Sequence, residues 1–153
     1  MACVRWVIIE PRMPKRSGGA RFGLATAFVL VTWSPHVSAE EAPPIDVALR
    51  CPASQGTGRV RCTVDATPRD GRAITWADVV IVSTPPFATP LRGRLAPEDA
   101  IDQTKDRWRW EFALAARTRG RGDVTVRVRA VACVQNACNP WHRDVTAQLV
   151  VGE

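Results

Sequence analysis

The chain of 153 residues has no tyrosine, two histidines, two methionines and only two lysines (Lys15 and Lys105) among its 21 basic residues. Scarce lysine beside abundant arginine reads as the coding bias of a GC-rich genome, because the arginines alternate with apolar residues along strand-like runs. There is no internal repeat, no low-complexity tract, and no apolar run of the roughly 20 residues that a helical membrane span needs. Hydrophobic residues at 46% and charged residues at 24% exclude a disordered or collagen-like chain.

What is present begins with an asymmetric charge. The formal charge is +6, but residues 1–39 hold five basic side chains and one acid, which leaves 16 basic and 14 acidic residues for 40–153, a net of +2. That is too little for an electrostatic nucleic-acid binder, so no nucleic-acid partner is expected. The basic segment opens a leader: MPKRSGGARF from Met13, then GLATAFVLVTW, then SPHVSA and EEAPP. A basic region, a short apolar stretch and the small-residue ending Val37-Ser38-Ala39 read as a signal peptide cleaved after Ala39. Met13 makes a better start than Met1. The expected organisation is therefore a signal peptide over 1–39 and a single domain over 40–153, periplasmic or secreted, with no membrane anchor once the leader is removed.

Export decides how the cysteines are read. Of the five, Cys3 falls in the leader, and Cys51, Cys62, Cys133 and Cys138 remain. An even number in an oxidising compartment implies two disulfides. Four thiolates could also hold zinc, but the pair spacings lack the tight CxxC knuckles of a zinc site, so no metal is expected.

Past the leader the chain falls into short alternating runs: Ile45–Cys51, Arg59–Ala66, Ile74–Ser83, the Trp108-Trp110-Phe112-Leu114 face, Val124 to Ala132, and Val145 to Val151. Turn residues separate them, including Arg119-Gly120-Arg121-Gly122-Asp123, and only Glu98–Lys105 offers a helical turn. This pattern predicts an all-β, antiparallel sandwich of immunoglobulin-like type. Trp76, Trp108 and Trp110 are assigned to its core.

Strand parity separates the cysteines. Cys51 shares a face with Ile45, Val47 and Leu49, and Cys62 with Val60 and Val64, so both point inward and a bridge between them is a structural staple. Cys133 is out of phase with the core set 124, 126, 128, 130 and 132, and lies with Arg127 and Arg129 on the outward face. Cys138 is out of phase with Val145. The four residues between Cys133 and Cys138 suit a hairpin connection that sets the two sulfurs face to face. Such a bridge is expected to be open to attack, with the two arginines favouring thiolate formation.

The segment DVTVRVRAVACVQNACNPWHRDVTAQLVV, Asp123 to Val151, resembles the end of the N-terminal periplasmic domain of the thiol:disulfide interchange protein DsbD family. In that family a strand runs into a Cys pair, then a Pro, then a final strand. The resemblance implies an immunoglobulin-like domain, an expected thiol:disulfide oxidoreductase, whose redox pair is Cys133 and Cys138. Cys138 would form the mixed disulfide. Electrons would come from a membrane-embedded thiol reductase and pass to exported thioredoxin-like proteins, with no cofactor. The family shields its pair with an aromatic cap, and Phe87 stands where such a cap would lie; its other reading is a hydrophobic plug closing one end of the sandwich. Where the family usually has Tyr and Gln before the first Cys, this chain has Val131 and Ala132.

The remaining motifs carry less. His142, alone beyond the leader and four residues after Cys138, could assist thiolate formation or be an ordinary exposed polar residue. With one such His and scattered Ser54 and Ser83, a Ser–His–Asp hydrolase has little support. Asp99, Asp102 and Asp106 lack the calcium-loop pattern. Trp141, beside the pair, is a candidate partner contact. The alternative function is a non-enzymatic, disulfide-stapled sandwich that binds a protein or ligand of the cell envelope.

Overall fold

The computed structural model describes residues 42–152; the expected leader, its cleavage site and Cys3 lie outside the described residues. Nine strands follow in order: β1 (Ile45–Arg50), β2 (Gly58–Pro68), β3 (Ala73–Ser83), β4 (Ala88–Pro90), β5 (Arg94–Leu95), β6 (Asp102–Gln103), β7 (Trp108–Ala116), β8 (Gly120–Val134) and β9 (Ala137–Val151). The helical turn anticipated over Glu98–Lys105 is reduced to a 3-10 turn at Pro97–Asp99, where the Asp99 carboxylate accepts from the Ala96 N–H at 2.9 Å.

One sheet runs β1-β2-β7-β4, with β6 also on β7, and the other runs β5-β3-β8-β9. All the pairings between these strands are antiparallel. The second strand pairs with the seventh, while the third, eighth and ninth share the opposite sheet. That is the A-B-E against C-F-G exchange of an immunoglobulin-like Greek key, so the domain is an antiparallel β-sandwich of that type.

Alternation explains the core. Val60, Cys62, Val64 and Ala66 of β2, Trp108, Trp110, Phe112 and Leu114 of β7, and Val124, Val126, Val128, Ala130 and Ala132 of β8 all face inward and are buried. Every second residue of each strand points to the same side, so these sets close on one another between the sheets. The Trp110 indole N–H donates to the Ala96 carbonyl at 3.1 Å, so its burial leaves no unpaired donor.

Two boundaries differ from the expectation. The stretch from Gly120 to Asp123 is the start of β8 rather than a turn, and β9 begins at Ala137 rather than near Val145. The result is a long hairpin with two strands of 15 residues, closed by Gln135-Asn136. Gln135 adopts a left-handed φ of 51°, as tight two-residue hairpin turns require. The glycines at the other end serve packing. A Cβ on Gly120 would lie 2.9 Å from the Phe87 ring, and one on Gly122 would lie 2.7 Å from Pro85.

Candidate functional site at the long hairpin

One disulfide joins the residue after β1 to β2 and the other joins β8 to β9, in different surroundings. Cys51 and Cys62 are bonded at an S–S distance of 2.03 Å, with Cys62 wholly buried and Cys51 packed on the core. Cys133 and Cys138 are bonded at 2.04 Å and are direct cross-strand partners at the tip of the β8–β9 hairpin. The four described cysteines are therefore committed to bridges, and among the described residues no cluster suited to a metal ion is found.

The outward face of β8 and β9 carries the second bridge, yet its two halves are not equally open. Cys138 is exposed, whereas Cys133 is 8% exposed. The expectation that both sulfurs stand open is corrected for Cys133, whose Sγ lies 3.5 Å from the Thr75 hydroxyl. Thr75 reaches it because β3 is irregular there. Ile74 pairs with Ala132 and Trp76 with Val131, so Thr75 is the extra residue of a bulge, a device that re-aims side chains.

The same bulge overturns the assignment of Trp76. One added residue inverts the phase of β3, so Ile74 and Ala77 face the core while Trp76 turns out and is 37% exposed. Trp108 and Trp110 are core, as expected. Trp76 lies across from Val131 and beneath the Arg129 guanidinium, 6.0 Å from ring centroid to Cζ. Together with Val131, Pro140 and His142 it lines an open groove of about 440 Å³ whose nearest lining residues, Val131 and Pro140, stand two positions from the bridged cysteines.

Arginine does not serve the sulfurs as expected. Arg129 donates from Nε to Asp78 Oδ1 at 2.8 Å and from its terminal nitrogen to the other oxygen of that carboxylate. Arg94 adds a bond from Nε to Asp78 Oδ2 at 2.7 Å, and Asp78 is fully buried beneath the two side chains. Burial pushes the Asp78 carboxyl up, but the hydrogen bonds and charges of Arg129 and then Arg94 outweigh it and hold it below the usual carboxylate range. Arg127 is held in the same two-pronged way by Asp144, at 2.7 and 2.8 Å, and that hydrogen-bonded pairing lowers the Asp144 carboxyl. Both cations are thus engaged by carboxylates of their own sheet, Arg127 by Asp144 and Arg129 by the Asp78 it shares with Arg94.

The other candidates are placed plainly. His142 is exposed, lies across from Arg129 and sits on the rim of the groove. Trp141 lies across from the buried Ala130, is half-buried against the core and also lines the groove. Phe87 does not cap the bridge. Its ring rests on Gly120, thirteen positions along β8 from Cys133, which at the strand rise of about 3.3 Å per residue is roughly 40 Å away. It closes the opposite end of the sandwich, where its carbonyl accepts from the Arg117 N–H at 2.8 Å. Thr75, Trp76 and Asp78 had no motif to announce them. An aspartate inside an apolar strand was the one available signal.

The fold and its bridges define a class: a disulfide-stapled, all-β sandwich. No family model matches the chain, and no curated protein does. Among solved structures it is similar to BslA, a bacterial hydrophobin, at 9% identity and a TM-score of 0.38 over 71% of this chain and 95% of that one. It is also similar to PapD-like domain 7 of human CEP192, at 12% and 0.37 over 78% and 94%, and to AggA, the major subunit of an Escherichia coli aggregative adherence fimbria, at 9% and 0.35 over 70% and 95%. Likenesses this weak carry no argument about function.

Proposed function

We propose that this is an exported thiol:disulfide interchange domain working through Cys133 and Cys138. The single observation that carries the reading is the asymmetry of the second bridge: an exposed Cys138 bonded to a covered Cys133, at a hairpin tip beside an open groove. A nucleophile approaching from solvent meets Cys138 first. The resemblance of Asp123–Val151 to the DsbD N-terminal domain supplies the partners, a membrane-embedded thiol reductase upstream and thioredoxin-like proteins downstream, and the leader supplies a periplasmic or secreted location.

In the reduced domain, the Cys138 thiolate attacks one sulfur of a partner disulfide and releases the partner's other sulfur as a thiolate. The Cys133 thiolate then attacks Cys138 Sγ, closes the bridge and releases the partner's second thiolate. Two electrons leave the domain and reduce the partner. The aromatic shield of the family has no counterpart at Phe87, whose ring rests on Gly120. Trapping tests the reading. Cys133→Ser is expected to hold an oxidised thioredoxin-like protein covalently through Cys138; no adduct, with Cys138 reduced and exposed, contradicts it.

The groove lined by Trp76, Val131 and Pro140 favours a second reading, a stapled binding module of the cell envelope in which both bridges are permanent. Among the described residues no helix is long and apolar enough to cross a membrane.

A further inference from the structure

The Thr75 hydroxyl faces two acceptors. It lies 3.3 Å from the Val131 carbonyl oxygen, to which it donates, and 3.5 Å from Cys133 Sγ. A disulfide sulfur is a weak acceptor, so in the oxidised domain the single hydroxyl proton belongs to the carbonyl. A thiolate is a charged acceptor and competes far better, because hydrogen bonds to ionised groups are roughly twice as strong as neutral ones. The hydroxyl needs only to rotate about its C–O bond to change partners. Arg127 and Arg129, the two cations on the same face, are each engaged by a carboxylate instead.

We infer that Thr75 is a positioning residue that stabilises Cys133 as the leaving thiolate, so that partner thiols enter the pair at Cys138. The inference rests on the exchange reading above and specifies its direction of attack. When a donor dithiol reduces the bridge, its thiolate bonds to Cys138 Sγ. The bond between the two Sγ atoms breaks, and its electron pair stays on Cys133. The donor's second thiolate then closes the donor's own disulfide and frees Cys138, so two electrons enter the domain and the donor is oxidised. Thr75 acts at the middle of this sequence, where charge first appears on Cys133. In the forward step it holds that same thiolate ready to resolve the mixed disulfide. The bulge in β3 acquires a purpose on this account: in a regular strand the residue after Ile74 would take the next place in the ladder, and the register beyond it would be shifted.

The test follows the thiolate of Cys133 alone. In a Cys138→Ser background, ultraviolet thiolate absorbance is titrated against pH for the parent, Thr75→Val, Thr75→Ala and Thr75→Ser. Loss of the hydroxyl is expected to lower the thiolate fraction about tenfold at pH values well below the midpoint, the size of one hydrogen bond to a charged group. Thr75→Ser keeps the hydroxyl and is expected to stay within about twofold of the parent. In a Cys133→Ser background, Thr75→Val is expected to leave the titration of Cys138 unchanged. Superimposed curves for all four Cys133 variants, or an equal shift at both cysteines, would overturn the inference. Exchange of the intact bridge with glutathione is followed in parallel. A bridge inert to glutathione overturns the exchange reading, whereas a bridge that exchanges while the four titrations coincide overturns the role of Thr75 alone.

Discussion

Each of the two disulfides pairs a buried cysteine with a more exposed one, yet they sit in different parts of the sandwich. Cys51–Cys62 spans eleven positions and buries one sulfur in the sandwich core; Cys133–Cys138 spans five and lies on the outer face at the end of a hairpin. Bond formation is therefore no guide to role. What separates a staple from a candidate exchange centre is the phase of each cysteine in its strand and what covers each sulfur.

The sharpest way to break the comparison is to remove each bridge in turn. Replacing Cys51 and Cys62 together by Ala is expected to cost about 3 kcal/mol, from the chain entropy of the loop released. The same replacement of Cys133 and Cys138 is expected to cost about 2 kcal/mol or less, since the shorter loop is already closed by the β8–β9 ladder. Urea unfolding checks both. An equal or reversed order would show that the hairpin bridge is the main staple.

Next in size is the ion cluster beneath the site. Asp78→Asn leaves Arg129 and Arg94 without their shared carboxylate and is expected to cost about 2–3 kcal/mol, tempered by the partial exposure of both arginines. The pH dependence follows from the lowered Asp78 carboxyl. Its stabilisation is fully present above the unfolded carboxylate pKa of about 3.9 and is lost as pH falls through the lower folded value. Acid unfolding of the parent should steepen below about pH 4, and Asp78→Asn should flatten that limb. An unchanged acid profile would contradict the cluster's role.

A smaller effect is expected at the far end. Gly120→Ala forces a Cβ against the Phe87 ring and is expected to cost about 1–3 kcal/mol. Phe87→Ala should cost about 1–2 kcal/mol through lost packing of a half-buried ring. Neither should alter the rate at which glutathione opens Cys133–Cys138. A changed rate for either variant would show that the two ends of the sandwich are coupled.

Much of this arrangement was legible in the sequence, and the exceptions share a cause. Period-two alternation located the faces of β2, β7 and β8, and with them the inward Cys62 and the outward Cys133 and Cys138. Alternation fails where a single residue is added. The bulge at Thr75 leaves no trace in composition, so Trp76 read as core and Thr75 went unnoticed. Gly120 to Asp123 looked like a turn because glycine favours turns. Here the glycines instead admit Phe87 and Pro85 against a strand that continues. Pro140 obscured the start of β9 for a similar reason: proline interrupts central strands but is tolerated at a sheet edge, where β9 lies. Burial of Cys133 was beyond reach of parity, which gives the face of a strand and not what lies over it.

The central claim is that the hairpin bridge exchanges while the core bridge does not, and equilibrium with glutathione redox buffers tests it most directly. Reduction of Cys133–Cys138 is followed by mass spectrometry after thiol alkylation, with Cys51–Cys62 as the internal reference. The account predicts a potential near or above about −230 mV for the hairpin bridge and one below roughly −300 mV for the core bridge. A hairpin bridge that also falls below roughly −300 mV would contradict exchange and leave a doubly stapled β-sandwich.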